Sequence, residues 1–344
     1  MTDPGSRVAA VFEDSGSGDG ITAQSPGCAV AISDHGAVVY ARGFGLADLT
    51  TNVPISPTMR FDVGSVSKQF TAATILLLAQ EGRLALSDDI HEYVPELPSY
   101  GHPMPLRDLI WMESGIADGA ATCDLPEAGP LTQADFLVGI VKARTLDFVP
   151  GTRWDYASSN YFLLRAVVER VTGEPLAAVA RRLIFAPLGM AATLFHSGLD
   201  PEPTGAARSY DVSSSSTLEP HYAPQGAQGP SGVYTNVVDL LRWIGNFSTG
   251  VVGGAAFLHA QLLPGPQTVP GTWVPDGGAY AAGLFLSVRN GRQIIWHRGV
   301  GLGLRAAIVY EPSRVRGVAV TCNTALRGNG DELAASTLDA WFGS

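Results

Sequence analysis

Apolar and polar positions follow two rhythms along this chain, and the rhythm changes with position. Residues 7 to 14 carry a short helical pattern. Two β-rich runs follow, Cys28 to Ser33 and Ala37 to Gly45, and the turn-forming Asp34-His35-Gly36 between them predicts a hairpin. From Ser65 to Gly82 the apolar residues Phe70, Ala73, Leu77 and Leu78 recur at helical spacing, with Gly82 where a C-cap belongs. Helical spacing then dominates from about residue 87 to 200, in Leu106 to Met112, Gln133 to Ala143, Ser159 to Thr172 before Gly173, and Leu176 to Phe185 before Pro187. Segment 201–231, rich in Ser, Pro and Gly and including the Ser213 to Ser216 run, predicts a long connection. Asn236 to Phe247 returns to helix. Strand-like runs come next at Ala281 to Val288, Gln293 to His297, Leu304 to Tyr310 and Val315 to Cys322, before a last helix from about Glu332 to Trp341. Strands at both ends with helices between predict an α+β fold: a sheet domain from residues 1–64 and 226–344, a mostly helical domain from 65–225, and a site at their junction.

Composition narrows the function. With 344 residues, 46% hydrophobic and 16% charged, the chain can bury a sizeable core. A net charge of −10 without a basic footprint argues against nucleic-acid and anionic-membrane partners. No run is long and apolar enough to span a bilayer, and none precedes Cys28, so a cytoplasmic location is expected. Cys28, Cys123 and Cys322 are odd in number, far apart and outside any C-x-x-C pattern, which predicts thiols that simply pack in a reducing compartment. The seven histidines lack paired spacing, so neither a metal site nor a cofactor is expected.

Lysine usage changes the picture most. Of 22 basic residues only Lys68 and Lys142 are lysine; the rest are arginine, which cannot give up its proton as a desolvated lysine can. Lys68 stands three residues after Ser65 at a predicted helix start, so its amine can lie beside the hydroxyl and accept its proton. The helix N-terminus offers N–H groups to a developing oxyanion.

The segment Phe61-Asp62-Val63-Gly64-Ser65-Val66-Ser67-Lys68-Gln69-Phe70-Thr71-Ala72 resembles the nucleophile region of the serine β-lactamase and penicillin-binding-protein superfamily, in its branch of class C β-lactamases, D-aminopeptidases and esterases. The resemblance continues through Leu106-Arg107-Asp108-Leu109, Ser114-Gly115-Ile116, Pro150-Gly151, Tyr156-Ala157-Ser158-Ser159-Asn160-Tyr161, Pro187-Leu188-Gly189-Met190 and His297-Arg298-Gly299, and so covers nearly the whole chain. It implies the β-lactamase/DD-peptidase-like fold, an antiparallel sheet flanked by helices with an inserted mostly helical domain. It implies Ser65 as nucleophile, Lys68 as activating base, and Tyr156 as the tyrosine of the Y-x-N element, exchanging protons with nucleophile and leaving group. A phenol beside an ammonium can have its pKa lowered enough for that work. His297-Arg298-Gly299 takes the place of the family's K-T-G or H-x-G strand, which implies His297 as a further catalytic residue and Gly299 leaving room for substrate, and the oxyanion hole maps onto the N–H groups of Ser65 and Val300. The third position of the Y-x-N element is Ser158, which offers one hydroxyl in place of a carboxamide and weakens the inference to β-lactam or peptide-amide cleavage. Asn160 is an alternative source of that amide. Arg298 and Arg305 flank the presumed cleft as candidates for a substrate carboxylate.

The resulting expectation is a hydrolase acting on a small-molecule ester or amide through a Ser65 acyl-enzyme. A transacylase or amide synthase using the same intermediate is the alternative, and a catalytically silent binding protein is a third reading supported by Ser158 alone. A G-x-S-x-G elbow, which marks α/β-hydrolases, is missing.

Overall fold

A computed structural model describes residues 3–13, 20–119, 130–212, 218–222, 226–274, 277–325 and 330–343. Cys123 and the Ser213 to Ser216 run lie outside those residues. The first helix is α1 (Pro4–Phe12), and the early apolar runs become β1 (Cys28–Asp34) and β2 (Ala37–Phe44), paired antiparallel as the hairpin pattern predicts. Short strands β3 (Leu46–Asp48) and β4 (Val53–Pro54) pair with each other before β5 (Phe61–Asp62).

The helical stretch gives α2 (Lys68–Gln80), α3 (Leu106–Ile110), α4 (Gln133–Lys142), α5 (Ser159–Thr172) and α6 (Leu176–Ala180). Helix α5 ends as predicted on Gly173, whose φ of 72° a residue with a Cβ adopts only under strain. Beyond α6 the chain winds on through one π-helical turn, Arg181–Phe185. Then come β6 (Leu194–Phe195), a hairpin of β7 (Tyr210–Val212) and β8 (Leu218–Pro220), and β9 (Val233–Thr235). That hairpin falls in the segment expected to be a bare connection. Tyr210 anchors it, its N–H donating to Asn323 O and its hydroxyl accepting the Leu49 N–H, long-range contacts that no local pattern reveals.

Helices α7 (Val237–Thr249) and α8 (Gly254–Leu262) precede the C-terminal strands β10 (Ala279–Tyr280), β11 (Phe285–Arg289), β12 (Arg292–Gly301), β13 (Leu304–Glu311) and β14 (Arg316–Cys322), and α9 (Gly330–Phe342) follows them. Helix α8 was not foreseen: its sequence GAAFLHAQL is apolar with no clear stripe, and only Phe257 and Gln261 are buried.

Seven strands form one antiparallel sheet in the order β10-β11-β12-β13-β14-β1-β2, so the strand from the chain's start is inserted beside the last. Helix α7 packs on β1 and β14, α9 packs on β13 and β14, and α1 lies against α9. Strand β1, nearly wholly buried between β2 and β14, reads as a continuous apolar run because water reaches neither face.

Cys28 and Cys322 face each other in the β1–β14 register and form a disulfide across a sequence separation of 294. This corrects the expectation that these thiols simply pack, and with it goes the cysteine argument for a reducing compartment. Spacing could not show the bond, because the sheet alone makes the two ends neighbours. Among the described residues, no helix is long and apolar enough to cross a membrane.

Candidate active site

Ser65 lies on a 3-10 turn, Gly64–Ser67, that runs directly into α2. Gly64 opens the turn at a φ of 48°, a backbone state that favours glycine. In a 3-10 turn residues i and i+3 eclipse, which brings Lys68 Nζ to 2.9 Å from Ser65 Oγ. Ser67 locks the turn from behind: its hydroxyl donates to Gly64 O at 2.6 Å and accepts the Val233 N–H at 3.0 Å.

Lys68 is fully buried, yet Ser65 keeps a partly open side. Its amine also reaches Pro230 O at 3.1 Å and lies 4.9 Å from the Tyr156 ring centroid and 5.9 Å from that of Tyr161. Burial brings its pKa down to about 7, against the upward pull of the Asp118 carboxylate. Near neutral pH much of Lys68 is therefore a free amine that can take a proton.

Tyr156 is half-buried in a wall of rings, stacked on Trp273 at 4.6 Å and bordered by Trp154, Tyr280 and His297. Burial raises the pKa of its phenol, and the hydrogen bond to Ser65 only partly opposes that. The direction is opposite to the lowering that proximity to Lys68 suggested, because burial disfavours the charged phenolate and the Asp118 carboxylate adds to the rise. Tyr156 is thus a neutral hydroxyl able to pass a proton on, and the free base of the pair is Lys68.

Strand β12 presses against the nucleophile turn. A Cβ placed on Gly299 would sit 2.0 Å from Val63 O and 3.4 Å from Ser65 N, and one on Gly64 would sit 3.5 Å from Val300 N. The N–H groups of Ser65 and Val300 therefore border one narrow gap. Gly299 answers first to this backbone approach, a stronger constraint than the substrate clearance expected for it. His297, buried on the same strand, has its pKa brought down to about 3 by burial and then by Lys68, while the Arg298 carbonyl pulls it upward. Its Nδ1 lies 2.7 Å from Arg298 O, an acceptor, so Nδ1 carries the proton and Nε2 can accept from the Tyr280 hydroxyl at 3.4 Å. The imidazole is therefore neutral and borders the ring wall.

The remaining predicted residues are placed as follows. Ser158 stands at the start of α5 with its N–H donating to Asp118 Oδ1 at 2.6 Å. Asn160 is buried away from the gap, donating to Ala157 O at 3.0 Å and accepting from the Ser114 hydroxyl. Arg298 pairs with Asp331 at 3.3 Å and lies over Trp273. Arg305 donates to Gly301 O and Leu304 O, bracing the β12–β13 turn. Sequence reasoning missed Asp118, Pro230, Trp273 and Tyr280. Asp118 follows the Ser114-Gly115-Ile116 motif and carries the one signal that could have been read, an acid close after a recognised segment. Among the described residues, no group of three or more His, Cys, Asp or Glu side chains is placed to hold a metal ion.

Comparison with known proteins places this geometry in a wider set. The family model described as Beta-lactamase matches residues 9–340. The D-aminopeptidase of Brucella anthropi is 29% identical over 344 residues, covering 93% of this chain and 63% of that protein. Among solved structures, the octameric penicillin-binding protein homologue from Pyrococcus abyssi superposes with a TM-score of 0.85 at 25% identity, covering 94% of this chain and 74% of that one. The structure described as EstCE1, a hydrolase with promiscuous acyltransferase activity, gives a TM-score of 0.80 at 22% identity over 99% of this chain and 98% of that one. The chain spans about three fifths of the length of the curated relatives it matches, 59% to 63%.

Proposed function

The chain belongs to the β-lactamase family, and from that premise we propose that it is a serine hydrolase cleaving a small-molecule ester or amide through a covalent Ser65 acyl-enzyme. The observation that carries the reading is the 2.9 Å contact between Ser65 Oγ and a buried amine whose pKa is near 7. In this reading neutral Lys68 removes the Ser65 proton as Oγ bonds to the substrate carbonyl carbon. The oxygen of the tetrahedral intermediate gathers negative charge between the N–H groups of Ser65 and Val300. As the intermediate collapses, the bond to the leaving oxygen or nitrogen breaks, and that atom takes the Lys68 proton by way of the Tyr156 hydroxyl. Water then attacks the acyl carbon, gives its proton back through the same pair, and frees the acid and Ser65. An amine or alcohol that reaches the acyl carbon first gives transfer instead, so acceptors belong in the assay.

A fluorophosphonate probe tests the nucleophile. Covalent labelling of the native chain that disappears in Ser65→Ala is the expected result, and labelling that persists at another residue refutes it. Parallel assay of p-nitrophenyl esters, D-amino-acid amides and nitrocefin, with and without added amine, ranks the substrate classes and the acceptors.

A further inference from the structure

A cavity of about 260 Å³ lies beside the nucleophile turn. One wall is the small three-stranded sheet: Asp62 on β5 and Tyr234 on β9 are directly opposed in the strand register, so their side chains leave the same face, and His196 follows β6 on that side. Glu202 and Ser231 close the other sides, and Ser231 directly follows Pro230, whose carbonyl holds Lys68. None of the rings around Tyr156 lines the cavity, so it lies apart from the wall that holds the phenol.

The cavity wall holds two carboxyl groups, Asp62 and Glu202, with His196 and His221 beside them. Asp62 Oδ1 accepts the Gly64 N–H at 2.8 Å, and burial lifts the pKa of the carboxyl against that hydrogen bond and the His196 charge, which lower it. Glu202 is lifted by burial too, with Asp62 adding to the rise and Arg208 opposing it, so the two carboxylates sense one another across the space. Both ring nitrogens of His196 are spent on backbone groups, Nδ1 accepting the Gly198 N–H at 3.1 Å and Nε2 facing Pro201 O at 3.0 Å. Tyr234, only 5% exposed, lines the cavity, and its hydroxyl meets no hydrogen-bond partner among the described residues. A phenol oxygen facing the cavity offers a ligand group a hydrogen-bond acceptor.

We propose that this cavity is a subsite for a primary ammonium group on the acyl part of the substrate, several bonds from the carbonyl under attack. An ammonium has three donors for the two carboxylates and the phenol oxygen, and it is compact enough for the space. Ser65 does not itself line the cavity, so the ammonium is placed several bonds from the carbonyl. The proposal rests on the acyl-enzyme reading, and the test separates the two.

The kcat/KM of p-nitrophenyl 6-aminohexanoate is compared with that of p-nitrophenyl heptanoate, which carries a methyl group where the other carries the ammonium. The native chain is expected to favour the charged ester by about tenfold or more, the size of one charge-assisted hydrogen bond. Glu202→Gln lowers that ratio, Tyr234→Phe lowers it less, and Glu202→Lys inverts it. Turnover of both esters at equal efficiency overturns the subsite and leaves the Ser65 reading standing. If neither ester turns over and Ser65 resists the fluorophosphonate, the acyl-enzyme reading falls. Calorimetry on Ser65→Ala then decides the subsite, since equal binding of 6-aminohexanoate and hexanoate overturns it and preference for the former upholds it.

Discussion

An amine in water keeps its proton well past neutrality, so a lysine can serve as base only where its surroundings take the charge away. Lys68 meets that condition by lying between Ser65, Pro230 and two tyrosine rings, with the Asp118 carboxylate moderating the shift. The sign of the pH dependence follows. Below about 7 the amine is protonated and idle, so kcat/KM is expected to rise with pH through an apparent pKa near that value. Lys68→Arg keeps the charge and removes the base; activity should fall by about two to four orders of magnitude, and substantial residual turnover in a stopped-flow acylation assay would refute the assignment. Ser65 and Lys68 were legible in sequence because one turn of helix holds both. Asp118 and Trp273 were not, since their contacts with the site are made across the fold and leave no spacing to read.

Elements position these residues through backbone contact more than through side-chain fit. On β12, Gly299→Ala would drive a Cβ to 2.0 Å from Val63 O, against backbone that has no rotamer to change. It should destabilise the chain by roughly 1–3 kcal/mol and open the gap between Ser65 and Val300, seen as a lower Tm together with a lower kcat. A second contact ties Glu113 to the segment that follows α8. Glu113 Oε1 accepts the Gln267 N–H at 3.0 Å, the Glu113 carbonyl accepts the Gly151 N–H, and Glu113 Oε2 is buried with no partner among the described residues. Burial, with Asp108 adding to it, lifts the Glu113 pKa to about 7 from its ordinary value of 4.5. The folded chain thus holds this proton more tightly than the unfolded one. The stability it contributes is fully present below about 4.5 and is lost as pH rises through about 7. Thermal melts should show that decline, and Glu113→Gln should flatten it; an unchanged slope would mean the carboxyl is not the source. Strand and helix boundaries followed periodicity where one face is buried. They failed at α8 and in the β7–β8 hairpin, where local pattern is weak and distant contacts decide.

At the scale of the molecule, both ends of the sequence build one sheet around a mostly helical middle, and this order of strands and helices could be read from the change in rhythm alone. The order of strands within the sheet could not, because nothing local says that β1 lies between β14 and β2. The Cys28–Cys322 bond crosses that junction, and by closing so long a loop it restricts the unfolded chain. The Cys28→Ala, Cys322→Ala variant should lose about 2–5 kcal/mol of unfolding free energy in guanidinium, and the native chain should lose as much on reduction. An unaltered midpoint in both would show that the sheet needs no tie. The burial of Lys68 has one more outcome, for chemistry done on the protein from outside. With the exposed Lys142 the only other lysine, an acylating dye offered to the native fold finds a single accessible lysine amine, and a second lysine taking up dye reports that the fold around Ser65 has opened.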